Sequence, residues 1–239
     1  MTALPDLLPL GLDGLLARFA TTFSEGANAR ARDLAAGLEA APLPGQVEVA
    51  PALASVLIRF DRAAVTRAAL AQALRARLAE PAAAPAPARH WRVPACFGGP
   101  SGAQLTEAAT LAGRSETALI AELCATDLTV LALGFAPGQP YLGLLPEHWQ
   151  MPRLPALTPR VAPGTITTAI RQIVLFAQAS PTGWRALGRC AFRPFSAHAA
   201  APFLLRPGDR LRFAPATEAE IAALEASGDP RGGAKVSAP

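Results

Sequence analysis

A chain of 239 residues that is 51% hydrophobic and 17% charged can bury one large or two small cores, which excludes an intrinsically disordered protein. The longest apolar run, around Leu128 to Ala136, is strand-sized and far short of the roughly 18 residues of a membrane span, so no membrane partner is expected. The formal net charge of +4 comes almost wholly from arginine, Lys235 being the only lysine; the arginines are dispersed along the chain, so no nucleic-acid partner is expected either.

The opening MTALPDLLPLGLDG carries Asp6 and Asp13 and no early Lys or Arg, which does not read as a secretory leader. Leu12 to Phe19 reads as a strand and Ala27 to Ala41 as a helix ended by the Pro42–Pro44 turn. Val47 to Val49 and Ser55 to Phe60 are apolar and β-branched, giving two strands with a turn near Pro51. Asp61 is placed to cap the next helix, in which Val65, Leu70, Leu74 and Leu78 recur at near-helical spacing. The order strand–helix–strand–strand–helix over residues 1–80 predicts an α+β sandwich of ferredoxin-like type, although no clear fourth strand follows.

EPAAAPAPA (Glu80 to Ala88) has no periodicity and marks residues 81–88 as a Pro/Ala linker. A second domain is expected over 89–216. His90 to Phe97 begins it, and helices are predicted near Ala103 to Leu111 and over Glu116 to Cys124, the latter capped by Ser115. From Leu128 to Phe213, short apolar runs separated by Gly and Pro predict a β-barrel or sandwich. Thr217 with Glu220 forms a capping box for a last short helix that Gly228 ends, and the tail to Pro239 is expected to be disordered.

Cys96, Cys124 and Cys190 are odd in number, far apart and without a CxxC pair, which fits free thiols in a reducing cytoplasm. Cys124 reads either as a nucleophile or as a buried small hydrophobe. His90, His148 and His198 lack any ligand spacing, so no metal is expected; no GxSxG, Walker A or GxGxxG sequence is present. GGPSG at Gly98 to Gly102 either cradles a phosphate or turns a strand into the following helix.

The segment from Gly134 to Trp184 carries the densest chemistry. Its prolines and glycines make a stiff, placed loop around Tyr141, the only tyrosine of the chain. Arg153 and Arg160 flank a Pro-rich stretch, and Arg171 neighbours Gln172. Brought together, these would make an anion site in which Gln172 polarises a carbonyl; otherwise Arg153 and Arg160 pin loops by bonding backbone carbonyls. Trp184 reads as a core plug or as a platform, and Tyr141 has a polar tip suited to a site.

GFAPGQPYLGLL (Gly134 to Leu145), MPRLPALTPRVAPGTI (Met151 to Ile166), Gln172 and SPTGWRALGRCAF (Ser180 to Phe192) follow one another in register. Flanking them are GLDGLLARF, PLPGQVEVAPALASVLIRFD and LLRPGDRLRFAP. In these motifs the chain resembles the family of the 5-oxoprolinase B component, allophanate hydrolase subunit 1 and the sporulation-kinase inhibitor, whose relatives include the carboxyltransferase part of urea carboxylase. The resemblance implies a cyclophilin-like β-barrel as the second domain. It implies half of a carboxyltransferase-like module whose partner is a homologous second subunit, with a third, ATP-using subunit as a further candidate. The implied activity is ATP-dependent opening of 5-oxoproline to glutamate, or hydrolysis of an allophanate-type ureido acid; the substrate is a small anionic amide. This chain alone would bind no cofactor, ATP being used by the complex. The alternative is a regulatory protein of the histidine-kinase-inhibitor type.

Carried over, the resemblance places Gly134 to Gly143 (with Phe135, Pro137 and Gly138), Pro163, Gly164 and Ser180 to Trp184 (with Gly183) along a shared cleft with Arg160 and Gln172. Gln172, Arg160 and Tyr141 are the catalytic candidates, and Arg153 and Arg171 join the substrate-binding set. Gln139 stands where this family usually shows Phe, Cys124 where it shows His, and Thr182 where it shows Gly. Ile173, Val174 and Phe176 replace Thr, Gly and Tyr, which leaves the substrate open.

Overall fold

A computed structural model describes residues 4–80 and 88–237. The chain divides into two compact units, Met1–Pro87 and Ala88–Pro239. Of the expected 81–88 linker, all but Ala88 lies outside the described residues.

The first unit runs β1 (Asp6–Leu10), β2 (Gly14–Arg18), α1 (Glu25–Ala40), β3 (Gln46–Pro51), β4 (Ser55–Phe60) and α2 (Arg67–Ala79). Its sheet is antiparallel in the order β1-β2-β4-β3. Alternation turns Leu15, Ala17, Val56, Ile58 and Phe60 inward, against Ala31, Ala35 and Leu38 of α1 and Leu70, Ala71 and Leu74 of α2. The expected strand–helix–strand–strand–helix succession is present as β2-α1-β3-β4-α2, but a ferredoxin-like sandwich is not confirmed: among the described residues no strand of this unit follows α2, and the edge beside β2 is taken by β1, which precedes it. The sequence alone predicts no strand over DLLPL; Pro9 fits there because an edge strand tolerates proline, one side of its backbone needing no partner.

Asp61 does not cap α2 either. Its carboxylate accepts from Ala63 N (2.9 Å) in a turn, and Thr66 caps the helix by accepting from Ala69 N at 3.2 Å. Both residue types can cap; the turn in between decides which one reaches a free N–H.

The second unit contains β5 (His90–Phe97), α3 (Leu105–Leu111), α4 (Glu116–Ala125), β6 (Leu128–Leu133), β7 (Pro140–Gly143), β8 (Thr158–Val161) and β9 (Thr165–Ala169). There follow β10 (Gln172–Leu175), β11 (Ser180–Thr182), β12 (Arg185–Arg189), β13 (Arg210–Pro215), α5 (Glu218–Ala226) and β14 (Lys235–Ser237). Seven strands in the order β12-β9-β10-β7-β6-β13-β5 close on themselves through β12–β5, which makes a mixed α+β chain with a barrel and few helices. This fits the cyclophilin-like barrel expected. Val93, Val130, Leu142, Ile173, Leu187 and Phe213 belong to its core.

Gly98–Gly102 turns β5 toward α3, Gly99–Gly102 forming a short 3-10 turn. Ser115 caps α4, and the Thr217–Glu220 capping box of α5 is present. The tail differs from expectation: Lys235–Ser237 is a strand, because it pairs antiparallel with the stretch of β5 from His90 to Arg92 that β12 leaves open. A chain without its own core gains order when an unfilled sheet edge supplies its hydrogen bonds. Gly164, between β8 and β9, has φ +85°, and an added Cβ would lie 2.2 Å from the Cys190 carbonyl, so its place is fixed by packing.

Candidate functional site: a cleft on the outer face of the barrel

The pleat of β7 and β10 sends Leu142, Ile173 and Leu175 into the barrel core. It sends Tyr141 and Val174 outward, where Phe176, Val161, Ala169 and Trp184 complete a separate small cluster. A cleft of about 330 Å³ opens over this face, lined also by Phe135, Gln139, Arg153, Leu154, Leu157 and Pro181 to Trp184.

Its wall is the loop after Met151, which is anchored twice. Leu154 N donates to the Gly183 carbonyl at 2.6 Å. Arg185, only 4% exposed, donates to the Pro152 carbonyl and, at 2.9 Å, to Glu107. Inside the cleft the Arg153 guanidinium stands 5.8 Å from the Trp184 ring centroid, a cation–π arrangement. Trp184 meets Tyr141 edge to face at 6.1 Å and 77°. Burial raises the pKa of the Tyr141 phenol while Arg153 opposes the shift, so the group is a neutral donor near pH 7. Among the described residues Arg153 has no ion pair.

Phe135 and Leu157 stand at the mouth, 76% and 68% exposed, Phe135 with φ 69°. Gln139 is the reverse: it is 1% exposed, and its Oε1 has no hydrogen-bond partner among the described residues. An unpaired buried acceptor costs about 1–3 kcal/mol.

Of the residues singled out from the sequence, the fold brings Phe135, Tyr141, Arg153, Gly183 and Trp184 into the cleft. Gly134, Pro137 and Gly138 shape the loop that carries Phe135; Gly138 has φ 67° and packs against Phe195. Gln172 is buried in β10 opposite Gly143 and Ala169, on the face shared by Val174 but outside the cleft lining. Arg171 sits in the tight β9–β10 turn (φ 63°) and donates to the Leu145 carbonyl at 2.8 Å, so it pins a loop.

Arg160 is exposed on β8, outside the lining, with no hydrogen bond or ion pair among the described residues. Pro163 and Gly164 form the β8–β9 turn. Ser180 lies in β11 opposite Val161, its hydroxyl unpaired among the described residues. Of the three catalytic candidates, Tyr141 alone lines the cleft.

Sequence reasoning did not single out Leu154, Leu157 or the loop-pinning Arg185. Thr182, within the Ser180 to Trp184 stretch expected along the cleft and also a departure from the family, accepts from Trp184 N at 3.0 Å and so holds the tryptophan. The Arg185 position, directly after the GW pair, was the one readable signal. Burial pushes the Cys124 thiol up to about 11 and that of Cys190 up to about 12, which favours the buried small hydrophobe over the nucleophile at Cys124. Among the described residues, no group of His, Cys, Asp or Glu side chains is arranged to hold a metal, and no helix is long and apolar enough to cross a membrane.

Comparison with known proteins accounts for this architecture. The chain is 28% identical over 236 residues to the 5-oxoprolinase B component of Bacillus subtilis (strain 168), covering 94% of this chain and 98% of that protein. The crystal structure of TTHA0988 superposes with a TM-score of 0.75 at 34% identity, covering 85% of this chain and 40% of that longer one. The urea carboxylase of Kluyveromyces lactis shares the fold, with a TM-score of 0.77 at 19% identity over 97% of this chain and 24% of the enzyme. The pattern of the carboxyltransferase domain, subdomain C and D, matches residues 5–205, and the chain belongs to that family.

Proposed function

We propose that this chain is a non-autonomous subunit of a 5-oxoprolinase-type complex, supplying half of a site whose other half comes from a homologous partner subunit. The observation that carries this reading is the cleft itself. It is open, its lip is apolar at Phe135 and Leu157, and among the described residues its lining holds a guanidinium without an ion pair and a phenol but no carboxylate, imidazole or thiol to serve as base. Large apolar side chains exposed together beside an aromatic-lined cleft support a surface that another protein covers. The resemblance to the 5-oxoprolinase B component over nearly the whole chain supports the same conclusion.

Within this reading the substrate is 5-oxoproline, a small cyclic amide bearing a carboxylate. Arg153 binds the carboxylate, Tyr141 Oη donates to the amide carbonyl, and Trp184 with Phe176 packs the ring. Binding and orientation are this chain's part. The water-activating group comes from the partner, and ATP is consumed elsewhere in the complex.

The reconstituted complex should release glutamate from 5-oxoproline in an ATP-dependent reaction, while this chain alone releases none. Loss of one charge-assisted contact of about 1.5–3 kcal/mol predicts that Arg153→Gln raises KM at least about tenfold. Its melting temperature should hardly move, since the side chain is exposed. Turnover by the isolated chain, or unchanged kinetics in Arg153→Gln, would sink the half-site reading.

A further inference from the structure

The barrel carries a second groove, away from the cleft and sharing no residue with it. Parallel pairing sets Arg210 beside His90 and Arg212 beside Arg92; antiparallel pairing sets Lys235 beside Arg92 and Ser237 beside His90. The intervening residues Trp91, Leu211 and Phe213 turn into the core, so every residue of this set stands on the exposed face. One rung of the sheet therefore reads Arg212, Arg92, Lys235 across three neighbouring strands. Together these side chains line a groove of about 390 Å³ in which Asp127 is the sole carboxylate.

Asp127 is already engaged, accepting from Arg212 Nε and Nη2 at 2.8 and 2.7 Å. Arg210 donates to the Thr129 hydroxyl at 2.6 Å. The side chains of Arg92 and Lys235 have neither hydrogen bond nor ion pair among the described residues. Like charges directly opposite one another on adjacent strands destabilise a sheet, and here two such pairs occupy consecutive places on one rung. A bound anion removes that cost.

We propose that this groove binds a small polyanion carrying at least two phosphate groups. The rung spans about 10 Å across three strands about 4.8 Å apart, more than one carboxylate or a single phosphate can bridge. A carboxylate is planar and is satisfied by a single arginine fork; a chain of phosphates offers oxygens in several directions, matching the Arg92 fork, the Lys235 ammonium and the Nη1 of Arg212 that Asp127 does not take, arriving from different strands. The proposal does not depend on the function assigned to the cleft.

The test is calorimetric titration of the full chain with inorganic diphosphate and triphosphate, with total ionic strength held constant by sodium chloride. Saturable binding is expected, tighter for triphosphate than for orthophosphate. The double variant Arg92→Gln/Lys235→Gln should weaken it at least about tenfold, the equivalent of one lost charge-assisted contact. Because both side chains are exposed, the variant should fold, and its unliganded melting temperature should be equal to or above that of the parent. No saturable binding at constant ionic strength overturns the proposal, as does binding that the double variant leaves intact. Binding of a polyglutamate peptide with none of diphosphate would assign the face to a protein partner instead, and would equally overturn it.

Discussion

The two grooves of the barrel are built by one rule and held by opposite forces. In the cleft, alternation along β7 and β10 turns aromatic and branched side chains outward, and burial holds Tyr141, Val174, Phe176 and Trp184 together. On the β13–β5–β14 face the same alternation turns out arginines and a lysine, which repel one another. The cleft is thus a stabilising element carrying one unsatisfied polar atom, and the groove is a mildly destabilising element carrying unsatisfied charge. A strand pattern fixes which residues share a face; their chemistry decides whether that face closes on itself or waits for a ligand.

The largest expected effect tests the cohesion of the cleft. Trp184→Ala should cost about 3–4 kcal/mol in a denaturant titration, since it deletes a buried aromatic from a small cluster. A loss below about 1 kcal/mol would show that the cleft is not held by burial. The barrel core, which contains Cys190 and packs Cys124 against it, is probed by pH. Burial raises the Cys190 and Cys124 thiols to about 12 and about 11 from an ordinary value of 9.0. A thiol that stays neutral in the fold and ionises when unfolded supports the fold fully below the ordinary value and loses that support as pH climbs toward the raised one. Stability should therefore fall above pH 9, with Cys190→Ala and Cys124→Ala flattening the decline, and neither thiol should alkylate rapidly at pH 7.5.

A smaller gain is expected from Gln139→Leu. Removing the unpaired Oε1 should raise stability by about 1 kcal/mol, read as a higher denaturant midpoint. A loss instead would mean that the amide is paired in solution. Smallest of all is the charge effect in the groove. Sodium chloride should stabilise the parent chain by a few tenths of a kcal/mol through screening, and Arg92→Gln should abolish most of that dependence. An identical salt response in both would remove the repulsion argument.

Much of the fold could be read from the chain because local chemistry and final structure agree. Gly and Pro separate the barrel strands, and Thr217 with Glu220 caps α5 as their spacing predicts. What could not be read is what tertiary pairing decides. β1 contains a proline and survives only as an edge; β14 forms only because β5 has an open half. Of the cleft, Tyr141, Arg153 and Trp184 were accessible through residue type and loop stiffness. Gln172 and Arg160 belong to the same motifs, yet register sets them outside the lining. The basic groove was invisible, because arginines far apart in sequence look dispersed until a parallel pairing sets Arg212 beside Arg92.

The pairing of β5 with β14 also bears on how copies of the chain behave in a crowded solution. Closing a barrel removes strand edges, but β12 reaches only Cys96 and Phe97, and the backbone of His90 to Arg92 would stay open without Lys235–Ser237. An open edge recruits strands from other molecules. Deleting three exposed residues should therefore cost the barrel little of its packing, yet leave it prone to edge-to-edge association, which light scattering at rising concentration would detect. The short strand works as a guard against the molecule's own copies.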